Sequence, residues 1–538
     1  MQGLMMDYQL NVPAIMRRAE QLHADRPIVS RLPDKSWHRT TYGATVTRAK
    51  QLGLALRNEL GLSDGDRVGT FAWNHSQHLE AYLGLPASGL VTHTLNLRLH
   101  ADDLTYIATH AGDRVLIADK TLWPLVEGFR ERVPFEHVIA VGPGPAPDGA
   151  IDYEELLATQ SADGIDFPDV DERAAAGMCY TSGTTGLPKG VVYSHRAIAV
   201  HALAQLLGGV LPLGDEDVVL PVVPMFHANA WGFPFACTLV GATQVLPGPH
   251  LDPTSLLEAF EGERVTFTAG VPTIWFGILQ ALDASPGAYD LSALKAMVVG
   301  GSAAPQAMIE AFERRHGLKV VHAWGMTEMT PLGTVSNLTA RERALSEDEQ
   351  YRYRAKQGTP APFVEIRARG PEGLVPWNGE AMGELEVRGV WIASSYFDAP
   401  DASDRWTDDG WFRTGDIVTI EPNGYIEIQD RAKDLVKSGG EWISTVALEN
   451  ALMGHPAVAE AAVIAVPDET WSERPLGVVV LREGQEASPD DLRAFLAPHF
   501  AKWWLPERFE FVDEIPKTAV GKFRKTALRE RFAAPQSG

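Results

Sequence analysis

Short apolar runs rich in β-branched residues alternate with helix-length amphipathic stretches between residues 67 and 325. The first series has a helical pattern at 75–85 and apolar runs at 67–73, 91–96 and 114–118. The second has apolar runs at 218–223, 243–248, 265–270, 296–301 and 319–325. This alternation predicts parallel βαβ units in doubly wound α/β sheets. Ligands of such sheets bind beyond the carboxyl ends of the strands, so the loops after Gly300 and Gly325 are candidate binding loops.

The pattern changes twice after residue 358. Short strands separated by turn residues at 364–370, 383–389 and 424–430 predict a small β-rich subdomain. Beyond Asp434, two strands, a helix at 446–453 and a further helix with Ser488 as N-cap predict an α+β domain. We therefore divide the chain into a large N-terminal domain at 1–430, a hinge at 431–434 and a smaller C-terminal domain at 435–538. A plain connecting turn would have the same sequence appearance as the hinge.

Composition narrows the class of protein. Of the 538 residues, 45% are hydrophobic and 22% are charged, which is typical of a folded globular chain and argues against a fibrous or disordered one. Lys and Arg number 47 against 70 Asp and Glu, giving a formal net charge of −23. Long-range electrostatics would therefore oppose nucleic acids and anionic membranes, and an anionic ligand needs a local site.

A membrane span, a secretory signal and a disulfide framework are all disfavoured. Residues 218–251 lack Asp, Glu, Lys and Arg, but five prolines and three glycines interrupt them, which favours a buried core over a membrane span. The start of the chain has no secretory pattern, and Cys179 and Cys237 form no CxxC pair. We therefore predict a cytoplasmic protein.

The segment YTSGTTGLPKG, residues 180–190, carries the strongest local signal. Its glycines leave backbone N–H groups accessible to a phosphate, and its hydroxyl groups and Lys189 add further donors. The segment lacks the GK[ST] ending of a Walker A loop, so a P-loop kinase or GTPase is disfavoured. A flexible Ser/Thr/Gly turn is the simpler alternative for any such cluster.

Four further motifs follow this loop in order: HAWGMTEMTP at 322–331, WFRTGD at 411–416, GYIEIQDRAKD at 424–434 and PKTAVGK at 516–522. With the loop they resemble the adenylate-forming superfamily. LVKSGGEWIS at 435–444 and the chain length most resemble the bacterial medium- and long-chain fatty acyl-CoA synthetases. The resemblance implies an AMP-forming ligase that uses ATP, Mg²⁺ and coenzyme A. It would convert a carboxylic acid to an acyl-adenylate with release of pyrophosphate, and then to a thioester.

The resemblance also assigns residues to the adenylation step. Lys522 would bridge the carboxylate and the α-phosphate, where two anions must meet. Glu328 would hold Mg²⁺ with Thr184, because this hard ion prefers oxygen ligands, although helix capping is a simpler role for Glu328. The phosphate-binding residues would be Thr181, Ser182, Gly183, Thr184, Thr185, Gly186 and Lys189.

A second group would bind the nucleotide. It consists of Gly301, Ser302, Ala303, His322, Ala323, Trp324, Gly325, Thr327, Asp416 and Arg431. Trp324 stands where the family usually has tyrosine, which retains an aromatic face for adenine and loses any phenol hydrogen bond. The GGSAA run of residues 300–304 could suggest a hydrolase elbow, but Ala304 breaks the GxSxG pattern.

Two further groups would serve the thioester step and the acid. Lys433 lies at the family's hinge, about which the mobile C-terminal domain would rotate. The rotation would replace the face that carries Lys522 with the face that carries residues 437–442. Lys437 and Trp442 would then contact nucleotide and CoA. A loop with a packing tryptophan is the alternative for Trp442. His227, Trp231, Val271 and Gly301 would line the acid pocket, with Trp231 at the position of the tunnel gate in long-chain synthetases; ordinary core packing is the alternative for His227 and Trp231.

Several functions remain open at this point. A medium- or long-chain fatty acid is the first choice of substrate, but a short thioether acid or an aryl acid would use the same activation chemistry. An oxidative luciferase-like adenylase or an acyl-AMP ligase with another acceptor would share the first step. A non-catalytic binding protein is disfavoured because Thr184, Glu328, Asp416, Arg431 and Lys522 are all present. The resemblance further implies a homodimer.

Overall fold

The computed structural model describes residues 1, 3–167, 169–181, 187–438, 441–468, 470–517 and 523–532. Within these ranges the chain forms four β-sheets flanked by helices. The strands are β1 Pro27–Arg31, β2 Trp37–Thr41, β3 Arg67–Phe71, β4 Val91–Thr94, β5 Asp113–Asp119, β6 His137–Val141, β7 Ile151–Asp152, β8 Ala175–Tyr180, β9 Gly190–Ser194, β10 Val218–Pro221, β11 Thr243–Leu246, β12 Phe267–Gly270, β13 Ala296–Val299, β14 Val320–Gly325, β15 Leu332–Val335, β16 Thr359–Pro360, β17 Val364–Gly370, β18 Gly373–Leu374, β19 Gly383–Gly389, β20 Phe412–Ile420, β21 Ile426–Arg431, β22 Val436–Ser438, β23 Glu441–Ile443, β24 Val458–Asp468, β25 Ser472–Leu481 and β26 Arg508–Phe511.

The α-helices of the described residues lie mostly between these strands. They are α1 Val12–Leu22, α2 Tyr42–Asn58, α3 Ser76–Ala87, α4 Ala101–Ala111, α5 Trp123–Val126, α6 Tyr153–Ala158, α7 His195–Gln205, α8 Phe233–Val240, α9 Pro253–Gly262, α10 Pro272–Ala284, α11 Gln306–His316, α12 Glu347–Ala355, α13 Thr445–Met453, α14 Pro489–Leu496 and α15 Lys525–Phe532. None of the helices in the described ranges is long and apolar enough to cross a membrane.

Two large, mainly parallel sheets confirm the predicted α/β architecture. One has the strand order β7-β6-β5-β3-β4-β8-β9, and the other has the order β16-β15-β14-β13-β12-β10-β11-β1-β2. In strand β13, Val298 packs into one hydrophobic cluster, whereas Met297 and Val299 pack into another, which explains why the strand is apolar throughout. Both faces of this strand are therefore covered, as expected for a parallel sheet.

The N-terminal hairpin joins the larger sheet, which the sequence pattern did not indicate. Strand β1 pairs in parallel with β11 through Ile28 and Gln244, and antiparallel β2 forms the sheet edge. The hairpin strands are short, and β2 is polar, so neither gives a strong periodic signal. Strand β1 thus pairs with a strand that lies about two hundred residues further along the chain. The pattern of neighbouring residues does not reveal such a pairing.

The predicted β-rich subdomain and the C-terminal α+β region are both present. The subdomain is an antiparallel sheet with the order β18-β17-β19-β20-β21. The C-terminal region contains the order β23-β22-β25-β24, with β26 beside β25, and Ser488 caps α14 by accepting a hydrogen bond from the Asp491 N–H. The predicted hinge begins at Arg431, the last residue of β21. The domain boundaries and the hinge remain predictions.

Candidate nucleotide and acid site

A cavity of about 360 Å³ opens beyond the carboxyl ends of β13 and β14, where the sequence placed the candidate binding loops. Residues from the N-terminal sheets, the β-rich subdomain and the start of α15 line it together. Its polar and glycine lining includes Thr181, Lys189, Gln205, His227, Gly300, Gly301, Gly325, Thr327, Glu328, Arg405, Arg431, Lys433, Asp434, Arg524, Lys525 and Thr526, and its aromatic lining includes Trp231, Phe233, Trp324, Tyr396 and Phe523.

The charge of this lining is opposite to that of the whole chain. Its described residues include six Lys or Arg side chains and two carboxylates, whereas the chain carries a formal charge of −23. A concentration of cations in a cleft attracts an anionic ligand despite the surrounding acidic surface. The structure therefore provides a local concentration of cations, as an anionic ligand of this acidic chain would need.

Glu328 lies on one wall of the cavity, held by a tyrosine that sequence reasoning missed. The Tyr396 hydroxyl donates a hydrogen bond of 2.6 Å to Glu328 Oε1, and both residues are buried. Burial raises the pKa of Tyr396, with the Glu328 carboxylate adding to the shift, so the phenol stays protonated and remains a donor. Lys189 Nζ lies 5.6 Å from the centre of the Tyr396 ring. The tyrosine thus holds the carboxylate through its hydroxyl group and faces a lysine with its ring.

The oxygen chemistry of this wall fits Mg²⁺ that arrives with a nucleotide. No group of three or more His, Cys, Asp or Glu side chains suited to a metal occurs among the described residues. Mg²⁺ is commonly held by one or two carboxylates together with phosphate oxygens and waters, rather than by a cage of protein ligands. A single buried carboxylate such as Glu328 matches that pattern.

Trp324, Asp416 and Arg431 form a connected group on the same side of the cavity. The indole N–H of Trp324 donates to Asp416 Oδ2 at 3.1 Å, and Arg431 Nε lies 2.8 Å from Asp416 Oδ1. The aspartate side chain is 2% exposed, so both contacts hold a buried carboxylate in place. The exchange of tyrosine for Trp324 therefore supplies an N–H donor to Asp416, which is predicted to bind the nucleotide, and the sequence did not suggest this contact.

A strained turn positions the predicted gate residue Trp231. Four consecutive non-glycine residues, Ala228 to Trp231, have φ values of +43°, +57°, +47° and +56°. This left-handed conformation costs of order 1 kcal/mol or more per residue, and such strain clusters at functional sites. The Gln205 amide donates to the Trp231 carbonyl oxygen at 2.7 Å, and a Cβ built on Gly300 would lie 3.0 Å from the Trp231 ring. The tryptophan therefore packs against a position where only a small residue fits.

Trp231 lies between the main cavity and a smaller one of about 50 Å³. His227 and Gly301 also contact both, whereas Val271 lines the smaller cavity alone. The remaining lining of the smaller cavity is largely apolar and includes Val222, Val223, Pro224, Leu251 and Ile274. The four residues predicted to bind the acid are thus brought together by the fold, and their role remains a prediction.

Other predicted residues are not brought to the main cavity. Lys437 and Trp442 are partners across β22 and β23 in the C-terminal region and are absent from its described lining. His322 is buried with Nδ1 2.9 Å from the Ala355 carbonyl oxygen, and burial lowers its pKa to about 4, which keeps the ring neutral. Ser302 and Ala303 follow Gly301 without being part of that lining. Ser182, Gly183, Thr184, Thr185, Gly186 and Lys522 lie outside the described residues.

The sequence did not reveal the side chains that position the predicted site residues. Tyr396 and Gln205 belong to no motif that we recognised, and they reach the site only through the fold. Arg524, Lys525 and Thr526 line the cavity from the start of α15. Their position two to four residues after Lys522 was the available signal, because residues next to a predicted catalytic lysine are expected near the same site.

The AMP-binding enzyme family matches residues 16–397, and the AMP-binding enzyme C-terminal domain family matches residues 447–522. The chain belongs to the AMP-binding enzyme family, which confirms the predicted resemblance to the adenylate-forming enzymes. It is 50% identical over 531 residues to a long-chain-fatty-acid–CoA ligase of Thermus thermophilus, covering 98% of this chain and 96% of that protein. It is 43% identical over 545 residues to a 3-methylmercaptopropionyl-CoA ligase of Ruegeria lacuscaerulensis, covering 100% of both.

A solved structure agrees in fold. The anthranilate CoA ligase AuaEII, in complex with anthranoyl-AMP, superposes with a TM-score of 0.86 at 26% identity, covering 98% of each chain. The agreement extends over both the large N-terminal part and the smaller C-terminal part. The predicted fold class is therefore confirmed.

Proposed function

We propose that this protein activates a medium- or long-chain fatty acid and transfers the acyl group to coenzyme A. The protein is an AMP-forming acid–CoA ligase that uses ATP, Mg²⁺ and CoA. The finer assignment to fatty acids is supported by the 50% identity with the Thermus thermophilus ligase and by the apolar lining beyond Trp231. The observation that carries the chemistry is the cationic cavity, which is lined by Glu328, Trp324 and Arg431. Trp324 and Arg431 in turn hold the buried carboxylate of Asp416.

Each part of the cavity has a task in the first half-reaction. Lys189 and the predicted phosphate loop attract the triphosphate, and Glu328 would hold the Mg²⁺ that lowers its charge. Asp416 would accept hydrogen bonds from the ribose hydroxyl groups, with Trp324 and Arg431 fixing its carboxylate. The carboxylate of an acid that has entered past Trp231 then attacks the α-phosphorus. The bond between this phosphorus and the oxygen that bridges it to the β-phosphate breaks, and pyrophosphate leaves.

The second half-reaction uses the same cavity. The CoA sulfur attacks the acyl carbonyl carbon, the bond to the AMP oxygen breaks, and thioester, AMP and one proton are released. AMP is a far better leaving group than the oxide of a free carboxylate, which is why the adenylate must form first. Lys433, Lys437 and Trp442 are proposed to act in this step after the C-terminal domain has rotated.

A short thioether acid is the second candidate substrate. The chain is 43% identical over its full length to the Ruegeria lacuscaerulensis enzyme, and the cavity beyond Trp231 has a volume of only about 50 Å³. A small pocket discriminates between chain lengths by roughly 1–3 kcal/mol per methylene. The two candidates therefore differ mainly in the depth of this pocket.

An acid panel tests both candidates. AMP release is measured with ATP and Mg²⁺, with and without CoA, for straight-chain acids from propionate to palmitate and for thioether and aryl acids. A CoA-dependent optimum at a medium or long chain supports the fatty-acid proposal, and an optimum confined to short thioether or aryl acids overturns it. Adenylate formation without a thioester would point to another acceptor.

The proposed setting of the reaction is the cytoplasm. Cys179 and Cys237 are both buried free thiols, which agrees with a reducing compartment. The homodimer remains a prediction from the resemblance. Light scattering at assay concentration measures it directly, and a single peak of monomer mass would contradict it.

A further inference from the structure

The residues that follow Lys522 are tied to a buried charge. Lys517 and Phe523, on either side of residues 518–522, form an antiparallel bridge, and the Arg524 N–H donates to the Pro516 carbonyl oxygen at 2.7 Å. Helix α15 begins directly afterwards at Lys525. The residues on the two sides of the segment that carries Lys522 are therefore held together. Because α15 follows them directly, their position depends on the orientation of this helix.

Lys525 is the anchor of that helix. Its Nζ lies 2.6 Å from Glu449 Oε1 and donates to Thr445 Oγ1 at 2.6 Å, and both residues belong to α13. Thr445 in turn donates from its hydroxyl and from its N–H to Asp430 Oδ2, at 2.6 and 2.8 Å. We call these four residues, Asp430, Thr445, Glu449 and Lys525, the Lys525 network. It joins α15 to the end of β21, across the predicted hinge.

The ammonium group of Lys525 is held charged in a mostly buried place. Its side chain is 12% exposed and that of Glu449 is 10% exposed. Burial lowers the pKa of Lys525, but the charges of Glu449 and Asp430 outweigh burial and raise it above its ordinary value. Placing a charge here is costly unless its partners are arranged to compensate it, and an apolar side chain would fill the same space without that cost. Simple packing therefore does not explain the choice of lysine.

The network links the cavity to the predicted hinge. Phe523, Arg524, Lys525 and Thr526 line the cavity, whereas Asp430 immediately precedes the hinge. One turn further along α15, Arg529 pairs with Asp434 at the other end of the hinge. The helix packs through Leu528 into the C-terminal core, and polar contacts join it to Asp430 just before the hinge and to Asp434 at its end.

We propose that Lys525 is a positioning residue for acid activation: through Glu449, Thr445 and Asp430 it holds α15 in the orientation that brings Lys522 to the cavity. The proposal rests on the proposed function and on the predicted role of Lys522. If rotation at the hinge separates Asp430 from Thr445, the network breaks, and its stabilising effect is then confined to the adenylating arrangement. Its loss weakens acyl-AMP formation and spares thioester formation from preformed acyl-AMP.

A lysine on the other side of the same segment provides a matched control. Lys517 pairs with Glu460 at 2.6 Å, but its side chain is 36% exposed and it does not belong to the described lining of the cavity. Exposed ion pairs of this kind contribute little. Lys517→Met therefore removes the same charge at a similar distance in sequence from Lys522 without touching the Lys525 network.

The test separates the two half-reactions in the full-length enzyme. Pyrophosphate release without CoA reports acyl-AMP formation, and CoA consumption with supplied acyl-AMP reports thioester formation, both with the best acid of the panel. We expect Lys525→Met to slow the first about tenfold or more and the second less than about threefold, since small misplacements of a reacting group have effects of this size. Lys525→Arg should recover part of the loss, and Lys517→Met should stay within about twofold.

A second variant distinguishes loss of the Lys525 network from misfolding of the Lys525→Met variant. Thr445→Val removes the hydroxyl that connects Lys525 to Asp430 while keeping the side-chain shape, and it should show the same unequal loss. The proposal is overturned if Lys525→Met or Thr445→Val slows both half-reactions equally, or if Lys517→Met matches Lys525→Met. A wild-type enzyme that forms no acyl-AMP from any acid would overturn the proposed function itself. Normal activity of both network variants would leave that function standing and reject this inference alone.

Discussion

The cavity has two walls that are built in different ways. The N-terminal wall, defined here by Trp324, Glu328, Tyr396 and Asp416, consists of buried side chains whose strands and loops pack into the large hydrophobic clusters. The C-terminal wall, defined by residues 523–526, begins helix α15, which packs through Leu528 into the C-terminal core and is joined to β21 through the Lys525 network. The clusters in the described C-terminal part contain only residues from 436 onward. A wall that packs into the large clusters keeps its geometry, whereas a wall joined to them through polar contacts can leave and return.

This difference suits an enzyme with two half-reactions in one cavity. The nucleotide must stay bound through both steps, so its contacts belong on the wall that does not move. Lys522, which we propose to act only in the first step, would belong on the wall that moves. The following predictions test this division, from the largest expected effect to the smallest.

Glu328→Gln should abolish most acyl-AMP formation, by about a hundredfold or more, because the amide removes the negative charge that would hold Mg²⁺. The measurement is pyrophosphate release as a function of Mg²⁺ concentration, together with the thermal melting temperature. Glu310→Gln, which changes a partly exposed helix glutamate paired with Arg314, is the control and should leave the rate within about twofold. Equal activity of the two variants would remove Glu328 from the reaction.

Lys433→Pro should slow thioester formation from supplied acyl-AMP by about tenfold or more, because proline fixes φ near −65° and restricts rotation at the predicted hinge. Lys433→Ala removes the same side chain and leaves the backbone free to rotate, so it separates the hinge from a side-chain role. Both half-reactions are measured for both variants. If alanine and proline had the same effect on thioester formation, the hinge would have to lie elsewhere.

Trp324→Phe should raise the KM for ATP about tenfold and change kcat little, since it deletes the indole N–H that donates to Asp416 while keeping an aromatic face. A hydrogen bond to a charged group contributes roughly 1.5–3 kcal/mol. Trp411→Phe provides a control tryptophan outside the described lining of the cavity. An unchanged KM for Trp324→Phe would show that Arg431 alone suffices to orient the carboxylate.

The smallest expected effect is a pH dependence of stability on the N-terminal side. His201 accepts the Leu332 N–H at Nε2, and burial lowers its pKa to about 3. Above pH 6.5 the ring is neutral in the folded and unfolded states, and between about pH 6.5 and 3 only the unfolded state takes up the proton, so stability falls as the pH falls. Urea unfolding at pH 7 and pH 5 should show this loss in the wild type.

His201→Gln retains an acceptor without a titrating ring and should reduce the loss between pH 7 and pH 5 by about 1–2 kcal/mol. His100→Gln, at an exposed histidine, is the matched control and should leave the pH dependence unchanged. If the two variants behaved alike, the buried imidazole would not be the group that titrates.

The chemistry of this protein could be predicted from its sequence because the relevant residues occur in short ordered motifs. Glu328, Asp416 and Arg431 were named from such motifs, and all three reach the cavity or its supporting contacts. The strands and the Ser488 cap were also predictable, since period and capping are local properties. The N-terminal hairpin was missed because its place in the sheet depends on a strand far along the chain.

Only the tertiary structure decided which side chains position the predicted site residues. Tyr396 meets Glu328 across 68 positions, Trp324 meets Asp416 across 92, and Lys525 meets Thr445 across 80. No local periodicity links such positions, because each contact is made by chain segments that the hydrophobic cores bring together. The sequence thus determined which reaction the protein is equipped for, and the fold determined how the two walls are held while it occurs.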